Sequence, residues 1–191
     1  MKQVAVFGGA FDPIHCAHLI LAQDILLAIA SDTILFLPSS TPPHKRCFAA
    51  FDDRLKMVEL AIRGNPRFKS SGIEAGLPEP TFTIQTLRAL QKELPDASIS
   101  FIMGMDSAVE FSTWKEPTAL LDEFRMIVIP RPGCAECDVD KEFRERMTFL
   151  QIRTIAISST EIRDRIKAGK EIRYLTPNEV ISYIAKKGLY R

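Results

Sequence analysis

Two histidines, His15 and His18, stand one helical turn apart, shortly after a glycine pair, Gly8-Gly9. On a helix that spacing projects both imidazoles to one side. Glycines let a ligand approach the backbone closely. The first turn of a helix offers unpaired N–H groups and a positive dipole end. Imidazole N–H groups donate to phosphoryl oxygens, more strongly when protonated. The chemistry these residues suit is phosphate binding, with stabilisation of charge that grows on a reacting phosphate. A plain Gly-Gly turn with structural histidines would use the same residues. So would half of a zinc site, although no third ligand stands at matching spacing. The segment has neither the G-x-G-x-x-G of dinucleotide-binding strands nor the G-x-x-x-x-G-K-[ST] of a P-loop.

A second candidate phosphate site lies near the other end of the chain, at Ile157-Ser158-Ser159-Thr160-Glu161-Ile162-Arg163. Ser158 and Glu161 have capping-box spacing, which many helix starts share. Arg163 is not explained by capping. A cation in the first turns of a helix opposes the dipole, and is better placed if it reaches an anion at that N-terminus. Between the two sites, Pro42-Pro43-His44-Lys45 is a stiffened turn with positive charge, extended by Arg46, and Lys45 is a candidate phosphate contact. Gly104-Met105-Asp106-Ser107 pairs a glycine with a carboxylate able to accept from ribose hydroxyls, or to cap a helix. Trp114, the only tryptophan, follows this turn beside Lys115. Cys134 and Cys137 form a single C-x-x-C without a second pair, and read as ordinary loop cysteines.

The elements that must position these residues alternate in type. Strands are predicted at Gln3–Phe7, Thr33–Leu37, a short stretch at Phe68, Ile99–Met103, Phe124–Ile129 and Thr154–Ile157. Helices are predicted at Ala17–Ala30, Asp53–Arg63, Thr83–Glu93, Ser107–Phe111, Asp140–Leu150, Ser159–Ala168 and Pro177–Lys187. Strands separated by such helices imply right-handed crossovers, and so an α/β, Rossmann-like doubly wound fold whose mostly parallel sheet has helices on both faces. No repeat or linker divides the chain, so residues 1–191 are expected to form one domain. Ligands bind at the carboxyl ends of such strands, near a switch in strand order. The important loops are therefore those after Phe7, Leu37, Met103, Ile129 and Ile157.

Bulk composition agrees with this reading. A chain of 191 residues with 46% hydrophobic content can build a real core. Its net charge of +1 gives no overall basic field for a nucleic acid. The apolar stretch from Leu19 to Ala30 is broken by Gln23 and Asp24, so no membrane span is expected. Met1-Lys2 leads into an apolar run, Val4–Phe7, too short for a signal peptide. Four cysteines are too few for a disulfide framework, and a cytoplasmic location is expected.

The segment Gly8 to His18, GGAFDPIHCAH, resembles the G-G-T-F-D-P-x-H-x-G-H signature of the bacterial nicotinate-nucleotide adenylyltransferases, within the wider HxGH nucleotidyltransferase superfamily. ISSTEIR resembles the same family's I-S-S-T-x-I-R. The resemblance continues through Pro42–Lys45, Thr81-Phe82-Thr83-Ile84, Gly104–Ser107, Pro130–Gly133 and the tail from Tyr174-Leu175-Thr176-Pro177 to Gly188-Leu189-Tyr190-Arg191. Two motifs in the right order and context are far more specific than either alone. Ala10 departs from the family's Thr or Ser, Ala17 from its Gly, and Phe82 from its Tyr.

The resemblance implies transfer of AMP from ATP to nicotinate mononucleotide, with pyrophosphate released. It implies His15, His18, Lys45 and Arg163 as catalytic contacts to the phosphates. It implies Gly8, Gly9, Phe11, Gly104, Asp106, Arg131, Ser158 and Ser159 at ATP, and Thr83, Ile84, Trp114 and Lys115 at the mononucleotide. Trp114 would stack on the pyridine, and the Thr83–Ile84 backbone and hydroxyl would hold the nicotinate carboxylate. The nucleophile is already an anion, so positioned donors rather than a strong base should supply most of the catalysis. Mg²⁺ is expected to arrive with ATP, since no carboxylate cluster offers a dedicated cage. The rival readings are another acceptor of the superfamily, foremost nicotinamide mononucleotide, or a non-catalytic nucleotide-binding protein.

Overall fold

The computed structural model describes residues 1–42 and 46–191. The predicted phosphate contact Lys45, with Pro43 and His44, lies outside the described residues.

Six strands form one sheet: β1 (Lys2–Gly9), β2 (Thr33–Pro38), β3 (Phe68–Ser70), β4 (Ala97–Gly104), β5 (Arg125–Ile129) and β6 (Thr148–Phe149). Their order is β3-β2-β1-β4-β5-β6, and every pairing is parallel. The register sets Phe7 between Phe36 on one side and Ile102 on the other. The chain winds outward from β1 in one direction, then returns to start the other half at β4. The switch point therefore falls between the carboxyl ends of β1 and β4, which is where such sheets open a crevice for ligands.

Alternation along the strands divides the core in two. Ala5, Phe7, Ile34, Phe36, Ile102 and Ile127 face α1 (Cys16–Ala28), α2 (Phe51–Ala61), α7 (Ser159–Lys167) and α8 (Asn178–Lys187). Val4, Val6, Leu35, Leu37, Phe101 and Val128 face the opposite layer, built from α3 (Thr83–Glu93), α4 (Met105–Val109) and α5 (Pro117–Glu123). The doubly wound α/β expectation holds, with helices on both faces. β2 is buried along its whole length, as a strand covered on both faces must be, and reads as a continuous apolar run.

Three expectations change. The predicted helix Asp140–Leu150 breaks up: α6 covers only Lys141–Arg144, and Thr148–Phe149 instead pairs with β5 as the edge strand. Leu150 then donates its N–H to Val128, extending that pairing. The charged run KEFRER looks helical locally, but the sheet edge captures the β-branched and aromatic residues after it. The predicted strand Thr154–Ile157 has no regular secondary structure, because β6 already occupies that edge. Lastly, α5 was not foreseen, although Pro117 at its first turn is a usual helix start.

Candidate active site

β1 runs further than its apolar stretch suggests, so Gly8 and Gly9 are its last two residues, paired with Leu37 and Pro38. A Cβ on Gly8 would lie 2.6 Å from the Phe101 ring, so only glycine fits there without displacing it. The chain then turns sharply. Phe11 has φ +47, and its buried ring packs edge-on to His18 at 5.0 Å.

This turn is held from several sides. Asp12, 3% exposed, accepts the N–H groups of Phe48 (2.6 Å) and Ala49 (3.1 Å) and the Tyr190 hydroxyl (2.7 Å). Arg54 is 1% exposed on α2. Its guanidinium donates to the carbonyls of Ala10 (2.8 Å), Ser40 (3.0 Å) and Ala49 (3.2 Å), joining the ends of β1 and β2. From the far end of the chain, Thr176 Oγ1 donates to Ile14 O at 2.7 Å, and Leu175 O accepts Cys16 N–H at 2.8 Å. A loop fixed through both carbonyls and a carboxylate has little freedom left, which is what a preorganised phosphate site needs.

His15 is the N-cap of α1, and its backbone N–H donates to His18 Nδ1 at 3.2 Å. That bond makes His18 Nδ1 an acceptor, so the neutral ring carries its proton on Nε2. The two rings stack with centroids 3.7 Å apart. Burial, then the nearby Arg131 charge, pushes His15 down to about 4. At neutral pH His15 is therefore an uncharged imidazole. Its Nδ1 is buried and lacks a hydrogen-bond partner among the described residues.

Across the switch point, Gly104 rather than Asp106 is the N-cap of α4, and Asp106 sits in the first turn. Asp106 Oδ2 pairs with Arg131 at 2.9 Å, while its Oδ1 is buried and unpaired among the described residues. Arg131 thus links the ends of β4 and β5, and its charge is felt at His15.

A cavity of about 330 Å³ opens between these strand ends. It brings together Gly8, Gly9, Gly104, Asp106, Thr83, Trp114 and Lys115. Trp114 stands in its wall, braced by Phe101 and Phe111 at ring distances of 6.1 and 5.4 Å. Lys115 Nζ lies 4.6 Å over the Phe82 ring. Phe82 is the N-cap of α3 and makes no side-chain capping bond, so the first N–H groups of that helix, at Thr83 and Ile84, have no intrahelical partner. The Ile84 side chain is fully buried in the core, which leaves only its backbone for a ligand. The same holds for Phe11, whose ring is a wall of the loop rather than a contact surface.

At α7, Ser158 accepts Glu161 N–H at 3.1 Å, the expected cap. Ser159 Oγ donates to Pro13 O at 2.9 Å, so this hydroxyl ties α7 to the first loop. Arg163, 9% exposed, points inward: it donates to Asp12 O at 2.7 Å and to Thr160 Oγ1 at 3.1 Å, and its guanidinium covers the Phe48 ring at 4.4 Å. Two of its five donors are used this way. Among the described residues, no three His, Cys, Asp or Glu side chains cluster to hold a metal ion.

Comparison with known proteins agrees with this geometry. Residues 6–165 match the Cytidylyltransferase-like family model. The chain is 38% identical to a probable nicotinate-nucleotide adenylyltransferase of Salinibacter ruber, over 98% of this chain and 97% of that protein. It is also 38% identical to the protein of that name from Thermomicrobium roseum, over 100% of this chain and 92% of the relative. The chain belongs to the nicotinate-nucleotide adenylyltransferase family. It is thus a nucleotidyltransferase. The solved Plasmodium falciparum nicotinic acid mononucleotide adenylyltransferase complexed with NaAD shares its fold, with a TM-score of 0.80 at 21% identity, covering 100% of this chain and 98% of that one.

Within this family member, sequence reasoning missed two buried charged residues, Arg54 and Glu74. Glu74, 6% exposed, lies in a 3₁₀ turn after β3 and lines the cavity. It accepts Ser40 N–H at 2.8 Å, Thr81 Oγ1–H at 2.7 Å and Thr86 Oγ1–H at 3.0 Å. Arg54 sits among charged neighbours on an amphipathic helix and carries no sign of burial. The one available signal was spacing: Arg54 falls a turn before Met57 and Val58, on the buried stripe. Tyr190 and Thr176 were expected only as parts of a family ending, whereas both bond to the first loop.

Proposed function

We propose that this chain joins nicotinate mononucleotide to the AMP part of ATP, giving nicotinate adenine dinucleotide and pyrophosphate. The observation that carries this reading is the crevice at the β1–β4 switch point. On one side it has a ring-sized pocket with Trp114 and the open N-terminus of α3. On the other stand the stacked imidazoles at the start of α1.

In this reading the pyridine lies against Trp114, and its carboxylate takes the N–H groups of Thr83 and Ile84 with the Thr83 hydroxyl. Lys115 adds positive charge at that end. Gly8 and Gly9 let the sugar-phosphate approach the strand ends, and Gly104 and Asp106 take a ribose. Arg131 neutralises Asp106 and lies beside the adenine nucleotide. ATP enters as its Mg²⁺ complex. The mononucleotide phosphate attacks the α-phosphorus, and the bond to pyrophosphate breaks on the opposite side. His15 Nδ1 and His18 Nε2 donate to phosphoryl oxygens, with Lys45 and the remaining N–H groups of Arg163. Ser158 and Ser159 hold the α7 terminus in place for the triphosphate. The donors are fixed before the substrates arrive, so little reorganisation is needed as charge builds.

We also read residues 1–191 as one nucleotidyltransferase domain acting in the cytoplasm, without nucleic acid or membrane partners. No helix among the described residues is long and apolar enough to cross a membrane, and the modest net charge supports no nucleic-acid field. The test is product formation with Mg-ATP, offering nicotinate and nicotinamide mononucleotides in parallel and resolving the dinucleotides by chromatography. Strong preference for the acid is expected. Equal use of both would overturn the acceptor assignment, and no dinucleotide from either would overturn the transfer itself.

A further inference from the structure

The pocket read above as the pyridine site contains a charge that the recognition of anions does not explain. Among the described residues, its charged lining is Glu74, Asp106, Glu110 and Lys115. Asp106 is paired with Arg131, and Glu110 is exposed. Glu74 is the carboxylate buried in the wall. Its two oxygens are held by Ser40 N–H, Thr81 Oγ1 and Thr86 Oγ1. A pyridine mononucleotide carries negative charge at the phosphate and, for the acid, at the ring carboxylate. Its one positive centre is the quaternary ring nitrogen.

We propose that Glu74 is a specificity-determining residue whose buried negative charge selects a cationic, N-ribosylated pyridine ring, opposite the electron-rich face of Trp114. The proposal rests on the reading of this pocket as the pyridine site. Both partners act on the same feature: an aromatic face attracts a cation, most strongly for tryptophan, and a carboxylate in a water-poor wall acts over several ångströms with little screening. The carboxylate also fixes the segment that leads into α3, so the charge and the ring carboxylate's binding surface are held by one side chain. The three donors keep Glu74 in the wall rather than in the pocket, where it would meet the ring carboxylate directly.

Substitution can separate charge from scaffold. In Glu74→Gln, the amide oxygen can keep Ser40 N–H and Thr81, while the new NH₂ donates to Thr86. The Thr86 hydroxyl then turns to Phe82 O, which already lies 3.2 Å away. Shape and hydrogen bonds survive, and only the charge is lost. Glu74→Asp keeps the charge and serves as the conservative control.

The experiment is calorimetric binding of two ligands to wild type and both variants. One ligand is nicotinate mononucleotide. The other is the C-riboside of benzoate 5′-phosphate, in which carbon replaces the ring nitrogen and the ring is neutral. Wild type and Glu74→Asp should bind the cationic ring about tenfold more tightly than its neutral twin, within the range of a cation held at a partly desolvated aromatic face. In Glu74→Gln the preference should shrink to about threefold, the share left to the Trp114 face, with an unchanged melting temperature. If Glu74→Gln keeps the tenfold preference, or weakens both ligands in equal proportion, the charge has no selective role. If wild type binds neither ligand, the pocket assignment itself falls, and with it this inference.

Discussion

The hydroxyl of Tyr190 donates to the carboxylate of Asp12 at 2.7 Å, across 178 positions of sequence. Asp12 is the residue whose carbonyl receives Arg163 and whose other donors come from Phe48 and Ala49. Through its carboxylate and its carbonyl, one buried residue therefore gathers three distant segments around the first loop. Burial and the neighbouring Asp12 hold the Tyr190 phenol far above its ordinary range, so it stays a donor throughout the useful pH range. Tyr190→Phe should cost about 1–2 kcal/mol of stability, the penalty for leaving a buried acceptor short of a donor. Urea unfolding of the two proteins measures it, and an unchanged midpoint would show that the bond contributes nothing.

Arg54 is a harsher case. Arg54→Met keeps most of the side-chain volume but strips donors from the carbonyls of Ala10, Ser40 and Ala49. A loss of at least ~3 kcal/mol is expected, since hydrogen bonds from a charged group are among the strong ones. Chemical denaturation reads the loss, and a change below 1 kcal/mol would mean that the three carbonyls find other partners.

His18→Ala should lower turnover by ~10²-fold or more, the usual consequence of removing one transition-state donor. Steady-state kinetics at saturating ATP and mononucleotide checks this. Near-normal turnover would remove His18 from the chemistry.

His15 makes the protein pH-sensitive below neutrality. Its value falls from 6.5 unfolded to about 4 folded, so the unfolded chain binds more protons between those two limits. Stability from this group is complete above pH 6.5 and is lost as the pH falls through about 4. A bound triphosphate acts in the opposite direction and raises the imidazole's affinity for protons. Between pH 4 and 6.5, Mg-ATP binding should therefore take up protons and tighten as the pH falls. Calorimetry in buffers of different ionisation enthalpy detects the uptake, and no buffer dependence would show that the phosphates do not lie against this ring.

Much of this was legible in the sequence because it depends on local pattern. The strands β1, β2 and β4 are apolar runs bounded by glycine or proline, and their order follows from the helices between them. Gly8, Gly9, Asp106 and Trp114 were legible because their residue types fit a crevice at strand ends. What escaped depends on contacts far apart in sequence. Glu74, in a short polar turn, looks exposed until Ser40, Thr81 and Thr86 close over it. Arg163 carries an anion-binding signature, yet its observed partners are the Asp12 carbonyl and Thr160, a geometry set by the packing of α7 on the first loop. The edge strand β6 was hidden because its two residues are strand only by virtue of β5 beside them.

The stitching of the first loop by Leu175, Thr176 and Tyr190 also has a temporal side. The glycine loop and both imidazoles leave the ribosome well before the groups that hold them. A partly made chain can carry Gly8, Gly9, His15 and His18 and still lack the bonds that brace them. Full bracing of the first loop is thereby tied to synthesis through residue 190.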